Sequence, residues 1–174
     1  MLDVSVSYNR YKFIGREFLT WLWFAVDTDH QGLEGLFEDP TSVDVGNRMV
    51  LENRQREAVE TVTIKGDDAG LEEGRLALRK GAAVTEINIV CRRGEQQWQL
   101  TLKGESLHMT SLRCPPTGAV ETKADLEGAV LEKVYLCDTV IQIVDTLFKA
   151  FVEIRLSDDW QNRVVPRIKQ WIFA

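Results

Sequence analysis

From Lys123 to Leu156 the apolar residues keep helical spacing without a break, and this run limits what the chain can fold into more than any other feature. Leu126, Val130, Val134, Cys137, Ile141, Val144, Phe148 and Phe151 recur in steps of four and three, the spacing of a coiled-coil seam. Leu131, Val140, Ile143, Leu147 and Ile154 make a second stripe. A helix with two apolar faces is not stable alone in water. One face is expected to cover a sheet, and the other to meet something else.

The sheet is written upstream. Val84 to Arg92, Gln97 to Lys103 and Ser106 to Arg113 alternate apolar and polar residues, the period of half-buried strands. Arg93-Gly94-Glu95 and Gly104-Glu105 separate them as tight turns, which predicts an antiparallel meander. Cys114-Pro115-Pro116-Thr117-Gly118 stops it. Two earlier strands are expected at Arg48 to Glu52 and Ala58 to Lys65. A short helix then starts at Asp67 or Asp68, runs to about Lys80 and ends at Gly81.

Near the start, Val4, Val6 and Tyr8 alternate with polar residues as a strand would. A very apolar helix follows, carrying Ile14, Phe18, Trp21, Leu22 and Ala25 on one stripe and Leu19, Trp23 and Val26 on another. Residues 27–46 read as a loop. At the other end Ser157 is expected to cap a last helix, with Trp160, Val164, Ile168 and Trp171 on its apolar face and Pro166 kinking or restarting it. The predicted fold is α+β: an antiparallel sheet packed against a long C-terminal helix and a buried N-terminal helix, in one domain spanning 1–174.

Composition narrows the function. The net charge of −6 opposes approach to a polyanion, so nucleic acid could be held only by a local basic patch. Cys91, Cys114 and Cys137 are odd in number and widely spaced, which predicts neither a disulfide framework nor a zinc site. His30 and His108 stand alone, no serine lies in a nucleophile elbow, and no phosphate-cradling glycine loop is present. Asp67-Asp68 and Asp158-Asp159 sit where helix starts attract carboxylates, so capping explains them better than metal binding. No catalytic role and no cofactor are expected. The first residues lack the pattern of a signal peptide, and Phe18 to Val26 is too short to span a bilayer, so a cytoplasmic protein without a membrane partner is expected.

Two sets of candidate residues remain. Arg75, Arg79 and Lys80 on the short helix, with Arg92 and Arg93 at a hairpin tip, form the candidate nucleic-acid patch; on chemistry alone a solvated helix face, with Glu72 reaching Arg75, explains such basic residues better. Trp21, Trp23, Val134, Ile141, Phe148 and Phe151 are the candidate interface. Trp21 and Trp23 lie on different faces of one helix, so at least one is expected to reach an interface.

The segment GREFLTWLWF at Gly15 to Phe24 resembles the recombination-associated protein RdgC family. ALRKGAAVTEINIV at Ala77 to Val90, WQLTL at Trp98 to Leu102, ESLHMTSLRCP at Glu105 to Pro115 and RLSDDW at Arg155 to Trp160 are similar to it as well. The resemblance covers most of this chain and the later part of a full-length member. It implies a non-enzymatic dimer that binds duplex DNA without sequence preference and modulates recombination. Two positions depart from the family pattern: Ala82 and Glu86 stand where it carries lysines. Two functions follow as expectations. One is weak, non-specific DNA association. The other is a protein-interaction subunit, a homodimer or part of a larger complex, that has lost DNA binding.

Overall fold

The computed structural model describes residues 13–55, 58–66 and 69–174. The expected strand around Val4 to Tyr8 and the caps at Asp67 and Asp68 lie outside them. In chain order the elements are α1 (Phe13–Thr28), α2 (His30–Glu34), β1 (Thr41–Gln55), β2 (Ala58–Lys65), α3 (Ala69–Arg79), β3 (Ala83–Arg93), β4 (Gln96–Lys103), β5 (Met109–Arg113), α4 (Lys123–Leu156), a π-helical turn (Trp160–Val164) and α5 (Val165–Phe173).

The five strands form one antiparallel sheet in the order β2-β1-β3-β4-β5. The register stacks apolar residues in rows across it. Val43 faces Cys91 and Cys91 faces Trp98; Met49 faces Ile87 and Ile87 faces Leu102; Ile89 faces Leu100. All of these are buried, and Val45, which faces Ile89 from β1, is half-buried. Alternation sends the intervening residues to the other face, which carries Arg48, Glu86, Arg92, Gln97, Gln99 and Lys103. One face is therefore core and the other is polar.

The core face is covered by α1 and by the later part of α4. Gly15 allows α1 to sit directly on the sheet: a Cβ there would stand 1.7 Å from the carbonyl oxygen of Gly104. Phe18 meets Phe148 edge-on at 5.2 Å and Phe151 at 5.5 Å, and Trp23 meets Trp171 edge-on at 4.9 Å. Such aromatic contacts each add roughly 0.5–1.5 kcal/mol beyond the area they bury. The Trp98 indole donates to the Leu136 carbonyl at 2.9 Å, tying sheet to helix.

Several expectations are corrected. Residues 27–46 are not one loop: Asp29 caps α2, accepting from the Gly32 amide at 3.1 Å, and β1 already begins at Thr41. The polar residues of Thr41 to Val45 hide a strand because only its inner face, at Thr41 and Val43, is buried, and Thr41 is itself polar. The last meander strand begins at Met109, not Ser106. Ser157 ends α4 and does not begin the next helix; its hydroxyl donates backward to the Ile154 carbonyl at 2.8 Å. Pro166 has no N–H for a helical bond, and the turn before it widens to π spacing, with the Val165 amide donating to Trp160. Gly81 ends α3 as expected, at φ +90°, a value that a side chain disfavours.

Candidate interaction surfaces

The five basic residues of the candidate nucleic-acid patch fall at opposite ends of β3. Arg75, Arg79 and Lys80 lie on and just after α3, beside the start of the strand; Arg92 and Arg93 lie at its finish. At the rise of an extended chain this separation is about 30 Å. Arg92 pairs with Asp44 and donates to Gln97 at 3.1 Å. Arg93 donates to Thr41 at 2.9 Å and pairs with Asp39 at 3.4 Å. Arg79 donates to the Ile172 carbonyl at 2.6 Å and covers the Phe173 ring, so it fastens α5 to α3. Among the described residues, Arg75 and Lys80 carry no ion pair. The five side chains therefore make no single concave patch. Ala82 packs against the core, and Glu86 draws in Arg48 at 3.3 Å and Lys103 at 3.5 Å on the polar sheet face.

The candidate interface residues divide. Trp23 and Phe151 are 1 % and 0 % exposed, so they belong to the core and not to an interface; the ring contacts above consume both. Trp21 and Phe148 are half-buried and packed on the same core. Val134 and Ile141 are open to solvent, and they have company. Leu126, Val130, Leu131, Val134, Tyr135 and Ile141, all in the stretch of α4 from Lys123 to Ile141, are between 48 % and 71 % exposed.

The buried stripe of α4 is Leu136, Val140, Ile143, Leu147 and Phe151. It shares Val140, Ile143 and Leu147 with the second stripe of the sequence, adds Leu136, and takes Phe151 from the heptad-like seam, while Leu131 is exposed and Ile154 half-buried. Continued toward the N-terminus in steps of four and three, the buried stripe meets Glu132, Ala129 and Asp125. That side of the early helix has only the small Ala129 to give a core, so the helix leaves the body there. Its start is nonetheless well built. The Thr122 hydroxyl accepts from the Asp125 amide at 3.2 Å while the Asp125 carboxylate accepts from the Thr122 amide at 2.7 Å, a reciprocal capping box. The Thr122 hydroxyl and amide together hold the Asp125 carboxyl below its ordinary range.

Sequence reasoning missed one pair. The Cys114 and Cys137 sulfurs lie 3.8 Å apart, both half-buried, where the segment after β5 passes α4. Nothing in their spacing announces this, because the contact depends on the packing of the helix on the sheet. Cys91 is different: burial pushes its thiol up to about 12. Elsewhere, an apolar trough of about 390 Å³ runs between α1, the β3 entrance and α5. Arg16 borders it, paired with Glu105 and with its Nε buried and without a hydrogen-bond partner. His30 bonds Asp44 at 3.0 Å and stands 3.8 Å from Glu34. Among the described residues no group of three or more His, Cys, Asp or Glu could hold a metal ion, and no helix is long and apolar enough to cross a membrane. No family model and no curated protein matches the chain.

Proposed function

We propose that the chain is a non-catalytic interaction subunit that pairs with a second copy of itself through the outer face of α4, residues 123–141. The observation that carries this reading is the run of exposed seam residues on a helix that is already firmly capped and anchored. Exposed apolar side chains are common one at a time, but a contiguous stripe on one helix is a docking feature.

The pairing is antiparallel. From Leu126 to Ile141 the seam steps are four, four, three and four, nearly the same when reversed, so the face can complement itself about a two-fold axis. With the axis between Lys133 and Val134, Leu126 meets Ile141 of the second copy. Lys123 then lands beside Asp145 of that copy, cation against carboxylate. A parallel pair would follow the seam toward Phe148, where Phe18 of α1 already sits at 5.2 Å.

Sedimentation over a concentration series tests this. The wild-type chain is expected to pass from monomer to dimer, and the double variant Val130→Lys/Val134→Lys to stay monomeric with an unchanged melting curve. A wild-type chain that remains monomeric throughout overturns the reading.

Duplex DNA is the second reading. It rests on the RdgC resemblance and on Arg75 and Lys80, which have no carboxylate partner among the described residues. Salt separates the two readings. DNA retention in a gel shift should fall steeply as salt rises, whereas pairing between two copies of charge −6 should hold or tighten. No retention at low salt removes the DNA reading.

A further inference from the structure

We infer that Cys114 and Cys137 are an oxidative modification site, closing to a reversible intramolecular disulfide when a hydroperoxide reaches them. The inference stands on geometry independent of the helix pairing. The two sulfurs are 3.8 Å apart, against about 2.05 Å in a disulfide, so closure requires roughly 1.8 Å of movement, within the reach of small side-chain rotations. Both thiols are half-buried, and the third cysteine, Cys91, is fully buried in the sheet core. The chain therefore carries one adjacent, reachable pair and one internal control.

The chemistry balances with a hydroperoxide as oxidant. One thiolate attacks the peroxide: an S–O bond forms, the O–O bond breaks, and for hydrogen peroxide the leaving oxygen departs as water. The neighbouring sulfur then attacks the sulfenic sulfur: the S–S bond forms, the S–O bond breaks, and a second water leaves. Two electrons pass from the sulfurs to the peroxide, and both thiol protons end in water. Proximity favours this second step over further oxidation or a mixed disulfide, because the resolving sulfur is already in contact. Reduction by a small thiol reverses it by exchange.

The position gives the bond a consequence. Cys114 directly follows β5, and Cys137 sits beside Leu136, where α4 passes from its exposed to its buried part. A bond between them closes the chain from 114 to 137 into a ring and clamps the root of the exposed half. Ring closure removes unfolded-state freedom, so the oxidised protein should melt higher by several degrees.

The test treats dilute, reduced full-length protein with hydrogen peroxide, then denatures and alkylates it. Oxidised wild type should accept one alkyl group, on Cys91, and lose two hydrogens in mass, with the 114–137 link found by peptide mapping and the melting shift reversed by dithiothreitol. Cys114→Ser and Cys137→Ser should each fold, lose the link and show no melting shift. Three labels on peroxide-treated wild type would overturn the inference. So would a link that involves Cys91 or joins two chains, or oxidation that stops at separate sulfinic acids.

Discussion

The two halves of α4 obey the same period and meet opposite fates. From Leu136 onward a stripe of five apolar residues is buried by α1, the sheet and the C-terminal turns; before it, five large apolar side chains face outward, and Ile141 extends their row beside the buried stripe. Periodicity is the same in both. The difference is set by what lies one stripe over: Glu132, Ala129 and Asp125 on the core side of the first half, against Val140, Ile143 and Leu147 in the second. A helix can thus be held at one end by a core and present the other end as a surface, provided that its free end is capped, as Thr122 and Asp125 cap this one.

The contrast can be broken most sharply at Phe151 and Val130. Phe151→Ala empties a fully buried site among Phe18, Trp21 and Trp160 and should cost about 3–5 kcal/mol in denaturant unfolding. Val130→Ala, on the same helix, should change monomer stability by no more than about 0.5 kcal/mol. Equal costs would abolish the distinction between the halves. Next in size, Trp98→Phe removes the hydrogen bond to the helix carbonyl and part of a fully buried ring; a loss of about 2–3 kcal/mol is expected.

The smallest effect is a pH dependence at the free end. The Asp125 carboxyl is held below its ordinary range by Thr122, so its charged form is favoured in the folded helix. The capping contribution is therefore full above the usual carboxylate range and is lost as pH falls through the depressed value. Amide shifts of Glu121 and Thr122, both of which donate to this carboxylate, should move together in that acid range while those of the buried half stay fixed. A titration at the ordinary carboxylate value would contradict the cap.

How much of this was legible beforehand depends on whether a feature is local. The bounds of α4, Lys123 and Leu156, follow from unbroken apolar spacing, and the structure reproduces them. The meander follows from alternation and turns. Which stripe of a helix the core takes is a packing choice that spacing leaves open, so spacing alone offers Trp23 of α1 and Phe151 of α4 to an interface although both are buried. Arg92 and Arg93 looked available because Asp44 and Asp39 are about fifty residues away in sequence and reach them only through the pairing of β1 with β3. The Cys114–Cys137 contact was hidden in the same way.

Hydrogen exchange along α4 at two protein concentrations tests the central claim most directly. Amides of residues 138–151 should be strongly protected at both, while those of 123–135 should gain protection only at the concentration where two copies pair. Equal exchange of 123–135 at both concentrations, with the protein shown to be fully folded, would contradict the claim that this face is where the molecule docks.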